Sequence, residues 1–96
     1  MKVVFTSAAL ADLDDILGYT AANYPTLLGP VELRIRAVVE RIGRWPESAR
    51  RVDERANVRV VSVRRYPFKI FYRIDGDRVE ILHILHTSRD LSGLDV

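Results

Sequence analysis

The sequence contains no cysteine. That excludes disulfide staples and thiolate metal sites, and it fits a reducing cytoplasm, the expected location. No apolar run approaches the roughly 20 residues of a membrane span, so no membrane partner is expected. The opening stretch MKVVFTSAALADLDD turns acidic too early for a signal peptide. There is no Gly-rich phosphate loop. None of Ser7, Ser48, Ser62, Ser88 and Ser92 stands in a nucleophile-elbow context, so serine hydrolase chemistry has no support. The two histidines, His83 and His86, sit three apart on one candidate strand. They point to opposite faces and would not chelate one metal together. Neither a metal nor a cofactor is expected. Internal repeats, low-complexity tracts and domain linkers are also missing.

What remains is one domain of 96 residues with a normal apolar fraction of 48%. The net charge of +2 hides an uneven distribution. Residues 1–33 hold one base and four acids, a balance of −3. Residues 34–73 hold twelve bases and four acids, a balance of +8, and residues 74–96 hold two bases and five acids, again −3. Thirteen of the fifteen cations are arginine, whose rigid fork suits carboxylates and phosphates. An acidic partner is implied, either nucleic acid or an acidic protein segment.

The organising stretch is Arg64–Asp90. Two runs rich in β-branched and aromatic residues, Phe68–Ile74 and Val79–Leu85, flank Asp75-Gly76-Asp77, which is a hairpin signal. With Gly76-Asp77 at the centre of a type II′ turn, Asp75 faces Arg78, Ile74 faces Val79, Arg73 faces Glu80, Tyr72 faces Ile81 and Phe71 faces Leu82. One face then carries Ile70, Tyr72, Ile74, Val79, Ile81, His83 and Leu85, and packs under helices. The other carries Lys69, Phe71, Arg73, Glu80, Leu82, Ile84 and His86, and meets water or a partner. A one-residue slip would move Lys69 and His86 to opposite faces.

Ahead of the hairpin, Lys2–Phe5 reads as a strand, and Thr6 or Ser7 can cap the helix that follows. Asp12, Asp14 and Asp15 lie in the first half of that helix, where the earliest favours the dipole. Leu10, Leu13, Leu17, Ala21 and Tyr24 form its apolar stripe, and Pro25 ends it near Asn23. Thr26 or Gly29 opens a second helix with Pro30 in its first turn. Leu28, Val31, Ile35, Val38, Ile42 and Trp45 form its stripe, Glu32–Arg36 and Glu40–Arg44 are favourable pairs, and Gly43 is a candidate stop. Glu47–Asn57 reads as a polar loop, Val58–Val63 as a strand, Tyr66-Pro67 as a break and Leu91–Val96 as a loose tail. The expected fold is α+β: an N-terminal strand, then an antiparallel two-helix hairpin packed on a mainly antiparallel four-stranded sheet, in the order β-α-α-β-β-β.

That order, a helical hairpin ending in Trp45-Pro46, the block Arg65-Tyr66-Pro67-Phe68-Lys69-Ile70-Phe71-Tyr72-Arg73, the Asp75-Gly76-Asp77 turn and Ile84-Leu85-His86-Thr87-Ser88-Arg89-Asp90 resemble the ParE/RelE toxin superfamily, and most the ParE branch. The resemblance spans nearly the whole chain, as one toxin domain over residues 1–96. It implies the toxin of a type II toxin–antitoxin pair, such as those that stabilise plasmids, in hetero-oligomeric complex with a cognate ParD-like antitoxin that neutralises it. The ParE branch implies DNA gyrase as target, inhibited by binding. The RelE branch implies ribosome-dependent mRNA cleavage. A third reading is an interaction module without toxicity.

Cleavage through a 2′-hydroxyl needs a base, phosphate-binding cations and an acid. Under the RelE alternative, the resemblance places Lys69 and Arg89 near phosphate-binding positions, with His86 as the candidate base. No tyrosine follows Tyr72, so the terminal tyrosine of RelE itself is missing. His86 is otherwise a strand-end residue bonded to local backbone. His83 reads as a core or rim histidine. Arg65, Lys69, Arg73 and Arg89 are candidate partner contacts, against ion pairing with Glu80, Asp75 and Asp90; pairing is the favoured reading for Arg73 with Glu80. Trp45 is expected to pack in the core, with a partner contact as its alternative role.

Overall fold

The computed structural model describes residues 1–52, 57–92 and 94. The elements are β1 (Lys2–Phe5), α1 (Ser7–Asn23), a 3₁₀ turn (Pro25–Leu27), α2 (Leu28–Arg44), β2 (Arg50–Arg51), β3 (Val58–Val63), β4 (Phe68–Asp75) and β5 (Arg78–His86). The sheet runs β1-β5-β4-β3-β2, with β1 parallel to β5 and every other pair antiparallel. This is the expected α+β fold with one strand more than expected. The extra strand, β2, falls within the stretch read as a polar loop. Arg50 and Arg51 pair with Val60 and Arg59 at the sheet edge, and both are exposed, so no apolar alternation marks them. Asp53-Glu54-Arg55, part of the same expected loop, lies outside the described residues.

The β4–β5 hairpin turns on Gly76, whose φ is 61°, while Asp77 stays out of the left-handed region, as a type II′ turn requires. Asp75↔Arg78, Ile74↔Val79, Arg73↔Glu80 and Tyr72↔Ile81 pair as the sequence predicts. The register then shifts: Phe71 faces His83, not Leu82, and Leu82 is the extra residue of a β-bulge. Beyond it the faces exchange. Ile84 packs in the core with Ile70, Tyr72, Val79 and Ile81, and Leu85 joins Phe71 and Leu82 in a separate cluster. Strict alternation places Ile84 and Leu85 the other way round. The bulge sits where β1 ends, and there the Thr6 hydroxyl donates to the carbonyls of Ile81 (3.0 Å) and Leu82 (3.1 Å).

The same Thr6 oxygen accepts from the Ala9 N–H at 3.1 Å and caps α1. Helix α1 buries Ala9 and Thr20, with Leu13, Ile16 and Leu17 packed partly beneath. The expected stripe was rotated too far, because Leu10 and Tyr24 are 50% and 55% exposed. A small residue and a polar one hold two core positions: the Thr20 hydroxyl bonds back to the Ile16 carbonyl at 2.7 Å, which removes its need for water. In α2, Val31, Ile35 and Ile42 are buried as predicted, and Glu32 pairs with Arg36 at 3.3 Å. Gly43 does not stop the helix. It lets α2 approach β1 so closely that a Cβ would stand 2.9 Å from Val3 Cγ2, and its carbonyl accepts from the N-terminal ammonium of Met1 at 2.9 Å.

The face of the sheet away from the helices has a core of its own. Val58, Val60, Phe71, Leu82 and Leu85 are buried together with Leu91, and Val52 and Leu94 pack at the margin. The expected loose tail is therefore corrected at Leu91, which is 4% exposed. A lone leucine in a polar segment carries no periodicity, so its docking could not be read from the sequence. Val96 lies outside the described residues.

Candidate partner-binding surface

Helix α1 passes over the end of β5 that β1 is too short to pair. There Asp12 reaches down, and its Oδ2 accepts the Ile84 N–H at 3.0 Å and lies 2.9 Å from His83 Nδ1. Asp12 thus closes the free sheet edge and does not sit in the first turn of α1, as a dipole role requires. His83 is buried, as expected for a core or rim histidine.

Beside this contact lies an apolar groove of about 600 Å³. Ile16 and Tyr19 of α1 form one wall, Tyr66-Pro67-Phe68 the other, and Tyr24 and Leu27 close one end. The rings of Tyr19 and Tyr24 stand 6.3 Å apart, and Tyr19 is 63% exposed. Arg89 brings cationic character to one side and Asp15 a carboxylate to another, with the His86 imidazole beside them. The Pro25 break after α1 places Tyr24 and Leu27 at this opening rather than in the core. His86 stacks edge-on against Phe68, and its Nδ1 accepts the Ser88 N–H at 3.1 Å, which leaves the imidazole at a strand end tied to local backbone.

Lys69 lies on the other face of β4. Its ammonium stands 5.5 Å over the Phe71 ring. The expected common face of Lys69, Arg73 and His86 is not formed, because the bulge turns His86 toward the helix side while Lys69 stays beside Phe71. Arg73 pairs with Glu80 at 2.7 Å, and Arg78 lies 3.5 Å from the same carboxylate, so Arg73 is held within the sheet. The Asp90 carboxyl is held below its ordinary range first by bonds from Ser92, with the nearby Lys69 ammonium contributing. Arg65 is exposed in the turn between β3 and β4, with a left-handed φ of 75°.

Trp45 corrects the expectation of core packing. It is the residue at which α2 ends, its N–H bonding to the Arg41 carbonyl, and the ring is 59% exposed. The chain after it is fastened by a different aromatic. The Tyr72 hydroxyl donates to the Pro46 carbonyl at 2.7 Å, and Arg59 donates to the Ala49 carbonyl at 2.8 Å. Burial pushes the Tyr72 hydroxyl above its ordinary pKa, with the Arg59 charge opposing.

Among the described residues no group of three or more His, Asp or Glu is placed to hold a metal ion. Among the described residues no helix is long and apolar enough to cross a membrane. The groove residues Tyr19, Tyr24 and Leu27 were not singled out in the sequence as a surface. Their signal was there: they are the aromatic and aliphatic positions left over once the α1 stripe is drawn through Ala9, Leu13 and Thr20.

Residues 3–91 match the family model for the ParE toxin of the type II toxin–antitoxin system parDE. The toxin ParE3 of Caulobacter vibrioides is 31% identical over 93 residues, covering 95% of this chain and 91% of that one. A chain from the chromosomal ParDE toxin–antitoxin system of P. aeruginosa superposes with a TM-score of 0.68 at 26% identity, covering 90% of this chain and 95% of that chain. The YoeB/ParE toxin from Agrobacterium tumefaciens shares the fold, with a TM-score of 0.62 at 15% identity over 90% of this chain and 98% of that one. The chain belongs to the ParE toxin family of type II toxin–antitoxin systems.

Proposed function

We propose that the chain acts in the cytoplasm as a toxin that inhibits DNA gyrase by binding, without chemistry of its own, and that a cognate ParD-like antitoxin neutralises it. Family membership supports the toxin–antitoxin setting. The observation that supports binding over RNA cleavage is the β-bulge of β5. It separates Lys69 from His86 across the sheet, and the face bearing Lys69 is packed by Leu91. His86 and Lys69 on opposite faces cannot serve one scissile bond, which leaves Arg89, among the described residues, as the one candidate cation beside His86 in the groove.

The antitoxin segment fills the apolar groove between α1 and the Tyr66-Pro67-Phe68 turn, in the manner of an amphipathic helix laid into an apolar cleft, and sets a carboxylate against Arg89. Arg65 and Lys69 remain exposed or half-exposed for contact with antitoxin or target. The test is growth and binding together. Induction of the chain alone should arrest growth, co-expression of the antitoxin should relieve it, and Tyr19→Asp should weaken antitoxin binding at least tenfold by loss of an apolar anchor, on the order of 2 kcal/mol. Charge reversal at Arg89 or Lys69 should weaken one of the two partners without unfolding the domain. Harmless expression without the antitoxin would contradict the toxin reading.

A further inference from the structure

Outside the groove, α2 carries a row of arginines. Arg34 and Arg41 stand two turns apart on α2, about 10 Å along the axis. With Arg64 from the turn after β3 they line a cleft of about 410 Å³ between α2 and β3. Arg44 follows on the same side of α2 and shares a shallower recess with Arg41 and Trp45. Among the described residues, Glu40 is the one carboxylate lining either recess. Among the described residues, none of Arg34, Arg41, Arg44 and Arg64 has an ion-pair partner, whereas Arg36, Arg73 and Arg78 do. Guanidiniums set close together without a paired carboxylate among the described residues repel one another, and that arrangement favours an anionic ligand that runs along the row.

We propose that this cleft, together with the adjoining recess that shares Arg41 with it and is lined by Trp45, binds single-stranded nucleic acid. Arginines in a row would suit an acidic peptide as well, and an indole can anchor a peptide side chain, but a single strand joins a charge to a flat ring in every unit and so uses both features together. Its phosphates follow the arginines while an unpaired base stacks on the ring. A duplex keeps its bases stacked on each other and offers Trp45 no free face. The exposed hydroxyls of Ser48 and Ser62 stand where sugar or phosphate oxygens would pass. This site is separate from the groove and from the Lys69 face, and it does not depend on which target the toxin inhibits.

Trp45 is the single tryptophan of the chain, so its emission reports on this place alone. Titration of the purified full chain with a short single-stranded oligothymidylate should quench that emission saturably. Affinity should fall with salt, with a log–log slope of roughly −0.7 per phosphate engaged. The triple variant Arg34→Gln, Arg41→Gln, Arg64→Gln should bind about tenfold or more weakly, with a shallower salt slope. Among the described residues these side chains make no hydrogen bond or ion pair, so its thermal unfolding should stay close to the parent's, and the single variant Arg41→Gln gives the same test with less charge removed. Poly-glutamate should bind more weakly and leave the emission unchanged. Equal binding of poly-glutamate, oligonucleotide binding without quenching, or undiminished binding by the variants would overturn the proposal.

Discussion

The Asp12 carboxylate accepts the backbone N–H of Ile84 across 72 positions of sequence, at 3.0 Å. It is how the first helix is fixed on the last strand, at the point where that strand has lost its parallel neighbour. The same oxygen lies 2.9 Å from His83 Nδ1. Asp12→Ala leaves a buried N–H without a partner and should lower unfolding stability by about 2–3 kcal/mol. Asp12→Asn keeps an acceptor and should cost less. Urea denaturation of the two variants measures the difference, and equal losses would contradict the contact.

Gly43→Ala should destabilise the chain although alanine is the better helix former by about 1 kcal/mol. The added Cβ meets Val3 Cγ2 at 2.9 Å and the Met1 carbonyl at 3.3 Å. Overpacking of this kind typically costs about 1–3 kcal/mol. In a Val3→Ala background the penalty should shrink, and a double-mutant cycle by thermal unfolding tests that coupling.

Leu91→Ala should cost about 2–3 kcal/mol, the usual loss for a leucine truncated in a core. It uncovers Phe71, Leu82 and Leu85 on the second face of the sheet. Binding of a hydrophobic dye should rise in parallel with the loss measured in denaturant. A tail that merely trails in solvent would show neither effect.

Stability should fall at alkaline pH through Tyr72. Its hydroxyl titrates above the ordinary value in the folded chain, because burial disfavours the phenolate. The unfolded chain therefore gives up the proton first as pH rises. The contribution of Tyr72 is intact below about pH 10 and is lost as pH climbs from there through the raised folded value. Tyr72→Phe should flatten that decline while losing the bond to Pro46, at about 1 kcal/mol. Unfolding midpoints followed from neutral to alkaline pH would show both.

Most of the fold was legible in the sequence for local reasons. Gly76 between two β-rich runs sets the hairpin, Thr6 caps a helix, Pro25 ends one, and Val31, Ile35 and Ile42 repeat at helical spacing. What escaped depended on contacts distant in the chain. Leu82 and His83 look like any alternating pair, and only the approach of the Thr6 hydroxyl to Ile81 and Leu82 marks the bulge. That single extra residue reversed the faces of Ile84, Leu85 and His86, and with them the grouping of the site candidates. Spacing assigns Trp45 to the core, but α2 ends at this residue and leaves it 59% exposed. Leu10 and Tyr24 were drawn into a stripe whose true members include the small Ala9 and the polar Thr20, residues that hydrophobicity alone does not select.

The central claim, a ParE-family toxin that works by binding its target, is tested most directly by gyrase supercoiling and cleavage-complex formation with the purified chain. The account predicts inhibition at stoichiometric toxin, relief on addition of the cognate antitoxin, and no change when His86 is replaced by alanine. Unimpaired gyrase together with mRNA cleavage that vanishes in His86→Ala would contradict it.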